Sequence, residues 1–196
     1  MFRATSHQTA VRKNGVFRLL RRFRKDNRGI SAVEFALILP IMVTLYLGVV
    51  EFSQVINADR RATSAASAAA DLVAQISLMN DEEMRNVFDA ASAIMAPYDP
   101  APLALVVSSV RIDDDGNALV AWSCGHQTSA RPEDSSVTLP AALAVPGSNL
   151  IMSEVTYERA SIVNGYFDAA SYTLSDTTYF RPRVSNFVAF DPNDSC

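Results

Sequence analysis

Few residues in this chain are placed to do chemistry, and the most conspicuous is an acid at the edge of an apolar run. Arg28-Gly29-Ile30-Ser31-Ala32-Val33-Glu34-Phe35 is followed at once by the largely apolar stretch from Ala36 to Val50. A charged side chain at a membrane edge is costly, so Glu34 must find a partner, reach the interface or become neutral. Gly29 sets a small residue between a basic segment and that run, five places before the acid. Glu34 is therefore the first functional candidate. The plain alternative is an uncut single-pass anchor whose carboxylate reaches up to the headgroups.

The other chemical candidates are weaker. Cys124-Gly125-His126 is a nucleophile-base or metal-like cluster, but adjacent loop residues rarely have the geometry of either. A zinc site would need further ligands, and beyond a histidine near the start of the chain only Cys196 remains. The acidic turn Asp113-Asp114-Asp115-Gly116-Asn117 suggests calcium. Placing Gly116 sixth in an EF-hand loop puts Arg111 first and Trp122 twelfth, and the ligand pattern fails. No Gly-rich phosphate loop or helical His-Glu-x-x-His occurs. The expectation is a protein with no catalytic residue, no metal, no cofactor and no small-molecule substrate; an enzymatic or ligand-binding head ranks third.

The elements that must position Glu34 follow from charge and length. The 196 residues are 49% hydrophobic and 19% charged, which excludes a wholly disordered chain. Residues 1–29 hold nine Lys/Arg and one acid, whereas residues 30–196 hold eight Lys/Arg and twenty acids. The basic segment is dense enough for a nucleic-acid arm. Its place beside an apolar helix argues instead for a flank that stays cytoplasmic, so nucleic acid is not an expected partner. Val16 to Phe23 could also lie on an anionic inner surface as a short amphipathic helix. A secretory signal peptide would need a small-residue cleavage site just after Val50, and none follows.

Ile30 to Phe52 would be roughly 35 Å long as a helix, enough for a hydrocarbon core of about 30 Å. Pro40 inside it predicts a kink, with Thr44 placed to help satisfy the freed backbone. No Pro or Gly interrupts Val55 to Met79, and a seven-residue seam appears: Val55, Ala62, Ala69 and Ile76, with Ala58, Ala65, Leu72 and Met79 three places on. The helix therefore either runs on to Met79 or bends near Asn57. Asn80 reads as the N-cap of a second helix, with Glu83 reaching back as in a capping box, and that helix ends before Pro97. Leu103 to Ile112 and Ala118 to Ser123 read as a hairpin, with a short strand near Val137 and further strands at Asn149–Ala160 and Leu174–Arg181. The fold class is α+β: a long N-terminal transmembrane and stalk helix, a second helix and a small antiparallel sheet, in a pilin-like architecture. The expected division is a basic cytoplasmic leader 1–29, a transmembrane helix 30–52, a helical stalk 53–96 and a β-rich head 97–196.

Gly29, then Glu34 at the fifth place counted from Ile30, then Phe35 resembles the processing site of type IV prepilins. The reading Ala32-Val33-Glu34-Phe35-Ala36-Leu37-Ile38-Leu39-Pro40 is similar in particular to TadE-like pseudopilins of the tight-adherence (Flp) pilus system. Pro146-Gly147, Val155-x-Tyr157 and Phe180-Arg181-Pro182-Arg183 loosely resemble the C-terminal pattern of TadE/TadG-like proteins. The resemblance implies a prepilin-peptidase substrate cut between Gly29 and Ile30, with Glu34 and Phe35 needed around the cut. It implies Ile30 and Glu34 as subunit contacts, and Flp pilin, other pseudopilins and the pilus assembly machinery as partners. The location implied is the bacterial inner membrane, N-terminus cytoplasmic and C-terminal head periplasmic. That orientation puts Cys124 and Cys196 on the oxidising side, where one disulfide makes better sense than two free thiols. The alternative from another class is an uncleaved single-pass scaffold whose periplasmic head binds a partner of a pilus or secretion machine.

Overall fold

The computed structural model describes residues 29–161, 171–194 and 196. The basic segment up to Arg28, including the amphipathic helix considered at 16–23, lies outside the described residues. Two units divide between Gly48 and Val49. The fold is α+β: a long apolar N-terminal helix α1 (Ile30–Ala74), a second helix α2 (Asp81–Ile94) and an antiparallel sheet.

In the first unit α1 carries large apolar side chains outward along its length. Val33, Leu37, Ile41 and Leu45 are 61, 70, 62 and 65% exposed. Pro40 lies inside the helix, which continues through it. Having no N–H, Pro40 leaves the carbonyl of Ala36 without its usual donor. Thr44 Oγ1 donates to the carbonyl of Pro40 at 2.9 Å, so it satisfies its own hydroxyl and not the acceptor that the proline frees.

In the second unit the main sheet has five strands: β2 (Leu103–Ile112), β3 (Ala118–His126), β4 (Ser136–Val137), β5 (Asn149–Arg159) and β6 (Tyr172–Phe180), in the order β4-β3-β2-β5-β6. Every pairing in it is antiparallel. Leu103, Leu105 and Val107 on β2 and Ile151, Val155 and Tyr157 on β5 alternate onto one face, as a period of two requires. That face shares a core with Ala58, Ala62, Ala65, Ala66, Ala69 and Ala70 of α1 and with Met84, Val87, Phe88 and Ala91 of α2. Residues of the expected stalk and of the sheet thus form one hydrophobic core. Val110, Ile112, Leu150 and Met152 face the other way, under Val137, Leu139 and Leu143.

Ala121 is an extra residue on β3, because Ser109 pairs with Trp122 while Val110 pairs with Val120. Such a bulge reverses the facing of a strand. Ala118 therefore belongs to the outer cluster, whereas Trp122 and Cys124 join the helix side.

The helix stops at Ala74, five residues short of the expected Met79. Gln75 and Ile76 donate to carbonyls three residues back, tightening the last turn. Leu78–Met79 then forms a two-residue strand, β1, parallel to β7 (Ala189–Phe190). The carbonyl of Ala74 accepts from the N–H of Arg183 at 2.8 Å. A returning C-terminal segment thus supplies a partner for the helix end. The expected seven-residue seam is also replaced by a broader buried face, since Ala66, Ala70 and Val73 are fully buried and Leu72 is 38% exposed. A straight helix on a sheet follows 3.6 residues per turn and drifts off a 3.5 repeat.

Asn80 is the N-cap of α2, its side chain accepting from the N–H of Glu83 at 2.8 Å. The return half of the capping box is not made: Glu83 Oε2 has no hydrogen-bond partner among the described residues. The next N–H, that of Asp81, donates to Asp194 at 3.2 Å.

Candidate functional site

The residues around the expected cut lie at the start of α1, and all of them are open to their surroundings. Gly29 immediately precedes the helix, and a Cβ built on it would meet nothing within 4 Å. Among the described residues, packing therefore does not require a glycine there. Ile30 and Phe35 are 51 and 59% exposed, and Glu34 is exposed between them. Ile30 and Glu34 stand four residues apart, one turn along the same helical face. Cleavage before Ile30 would set a new ammonium on the face that carries Glu34.

The helix beginning here is the one described helix long and apolar enough to cross a membrane. From Ile30 to Tyr46 its large apolar side chains are exposed on all sides, an arrangement that suits lipid and not water. An acid inside such a surface needs a partner that the described chain does not supply as an ion pair.

Residues 29–71 match the family model described as TadE-like protein. No curated protein and no solved structure matches the chain. The TadE-like segment is under a quarter of the 196 residues, begins at Gly29 and takes in Glu34, Phe35 and Pro40. It ends at Asp71, after the alanines that touch the sheet, and Asp71 forms an ion pair with Arg183.

Within the TadE-like segment lies a second acid that sequence reasoning passed over. Glu51 is 5% exposed and sits 3.8 Å from Arg159, itself 9% exposed, at the end of β5. The Arg159 guanidinium also lies over the ring of Tyr98, 5.7 Å from its centroid. Tyr98 donates its hydroxyl to Gln54 Oε1 at 2.9 Å. Tyr157 donates to the carbonyl of Asp99 at 3.0 Å, and burial, with Asp99 adding, pushes its phenol up. A signal was available: Glu51 is the first charge after the apolar run, four residues before a seam position. Nothing in the sequence pairs it with an arginine 108 residues later.

The remaining candidates separate into structural roles. Cys124 and Cys196 have Cα atoms 5.2 Å apart, within the span of a disulfide. The ring of His126 stacks on Phe88 with centroids 5.2 Å apart. Gly125 is held by contact, since a Cβ there would lie 2.2 Å from the carbonyl oxygen of Thr128. Cys124-Gly125-His126 is thus a tightly folded strand end. Asp113 accepts from the N–H of Asn117 at 2.7 Å and from its side-chain amide at 3.0 Å. The Asn117 side chain and then its backbone hold the Asp113 carboxyl below the ordinary value of 3.8. The acidic turn closes the β2–β3 hairpin, and among the described residues no group of His, Cys, Asp and Glu could hold a metal.

Arg131 makes a two-pronged ion pair with Glu154, at 2.5 and 2.6 Å. This fixes the loop after β3 to the sheet, and the bond to Glu154 raises the Arg131 pKa further.

Proposed function

We propose that the protein is a membrane-anchored pseudopilin, or minor-pilin-like protein, that assists assembly of Flp (tight-adherence) pili. In this reading a prepilin peptidase cuts between Gly29 and Ile30, and residues 30–52 stay in the inner membrane with the leader cytoplasmic and the head periplasmic. The observation that carries it is the coincidence of the TadE-like match, starting at Gly29, with a helix whose apolar side chains are exposed from its first turn. Glu34 then has a role that repays its cost. It would attract the new amine of Ile30 on a neighbouring pilin-like subunit, offsetting two desolvation penalties together. No catalytic residue, cofactor or small-molecule substrate is assigned.

The test is the N-terminus of the protein recovered from membranes of cells that make the peptidase. A start at Ile30 is expected; an intact Met1 or Phe2 would leave the uncleaved scaffold. A cleaved Glu34→Gln protein should insert but fail to crosslink to pilin-like subunits, and normal piliation by it would sink the pairing.

Cys124 and Cys196 are proposed to be bridged in the periplasm, closing a long loop worth up to about 4 kcal/mol. Thiol labelling of unreduced, denatured protein should find no free cysteine; full labelling of both would remove the bridge.

A further inference from the structure

Beyond the TadE-like segment's apolar run, the arginines of the described chain are unevenly used. Arg85, Arg111, Arg131, Arg159 and Arg183 each pair with a carboxylate. Arg60, Arg61 and Arg181 have no carboxylate within 4 Å among the described residues, and of these Arg60 and Arg61 are adjacent on α1. Both line a cleft of about 560 Å³, with Gln54 and Asn57 on the same helix and Ile94 and Tyr98 opposite. Arg61 spends one N–H on the carbonyl of Ile94, at 2.9 Å, which holds its guanidinium at the cleft wall. Arg60 is exposed. In a chain that is strongly acidic after residue 30, two such cations in one cleft form a site for an anion.

We infer that this cleft binds the phosphate of an anionic phospholipid headgroup in the leaflet where α1 leaves the bilayer. The inference rests on the reading that residues 30–52 cross the membrane. Gln54, Asn57 and Arg61 follow Val50 on one helical face, at three- and four-residue spacing. The face changes from apolar to polar where the hydrocarbon would end, which suits a ligand with acyl chains below and a phosphate above. Gln54 and Asn57 stand roughly 3 and 8 Å beyond Phe52, inside a headgroup layer of roughly 5–8 Å. Arg60 and Arg61 start about 12 Å beyond it. Helical side chains lean toward the N-terminus, here toward the membrane, and a long arginine covers the remainder. Tyr98, with its hydroxyl on Gln54, stands as an amphipathic ring at the same level.

The experiment uses the full-length protein in nanodiscs of equal parts phosphatidylglycerol and phosphatidylcholine, with native mass spectrometry of the lipid retained after release. Wild type should keep phosphatidylglycerol over phosphatidylcholine by about fivefold, a preference of the size that charge-assisted bonds confer. Arg60→Gln with Arg61→Gln should bring the ratio to about one, and Arg85→Gln should leave it unchanged. The fluorescence of Trp122 reports whether each variant is folded. Should the double variant unfold, Arg60→Gln alone, which disturbs no main-chain bond, should still halve the ratio, roughly, by removing one of the two cations. An equal ratio for wild type, or a preference that survives these variants, overturns the site. Displacement of the lipid by inorganic phosphate would make a free anion the occupant and also overturn it. Release of the protein from vesicles by an alkaline wash would instead defeat the membrane reading and the lipid site with it. Stable insertion without lipid preference defeats the site alone.

Discussion

Leu37, Leu45 and Val49 near the start of α1 are 70, 65 and 66% exposed, whereas Ala65, Ala66, Ala69 and Ala70 further along are fully buried. The larger apolar side chains are outside and the smallest are inside. Hydrophobicity alone would reverse this order, because a leucine gains more than an alanine from leaving water. The difference shows that the two stretches answer to different surroundings. Bulky residues on every side suit lipid, where size is no hindrance. On the sheet side, alanine lets the helix backbone approach closely, and the packing is decided by space and not by side-chain area.

The largest effect is expected where the two regimes meet. Arg159→Ala would leave the buried Glu51 without this cation, and breaking a buried pair of this kind costs about 3–5 kcal/mol. Urea unfolding of the detergent-solubilised protein, followed by Trp122, should show the loss. An unchanged midpoint would mean that Glu51 is held by its other contacts and that Arg159 adds little.

Ala69→Leu tests the close-packed stretch directly. Extra methylenes in a filled site should cost about 1–3 kcal/mol. Leu37→Ala, which removes more apolar surface from the exposed stretch, should move the same unfolding midpoint by less than about 0.5 kcal/mol. If Leu37→Ala were the more damaging of the two, the contrast between the stretches would be void.

The smallest effect concerns the hairpin turn, far from both stretches. The folded Asp113 carboxyl sits below its ordinary value of 3.8 because Asn117 bonds to its charged form. Its contribution is therefore complete above that value and is lost as the pH falls through the lower folded value. Asp113→Asn should lower stability slightly at neutral pH, and the difference from wild type should vanish in acid. A difference that persisted at low pH would place the effect in the turn's backbone and not in the charge.

Much of the architecture was legible because it rests on local rules. The second helix follows from its Asn80 cap and apolar spacing, and β2 to β6 fall close to the expected stretches, because propensity, alternation and turn residues act within a few positions. Glu34 stood out for the same reason, as a charge out of place in an apolar run. The end of α1 at Ala74 was not legible. Nothing between Val55 and Met79 breaks a helix; the chain departs because Arg183 and the strand at Ala189–Phe190 take up its carbonyls and the backbone that follows. The bond from the N–H of Asp81 to Asp194, across 113 residues, was likewise not legible.

The sequence by itself determined the basic N-terminal segment, the apolar run behind Gly29, the acid within it and the order of helix and strand, all properties of neighbouring residues. Only the tertiary structure decided that the alanines face a sheet and that Glu51 meets Arg159. It also decided that the bulge at Ala121 turns Trp122 and Cys124 toward the helices, and that Arg60 and Arg61 share one cleft with Tyr98. Each of these joins residues far apart in the chain. Such contacts depend on which surfaces meet when the core closes, and no local spacing encodes that.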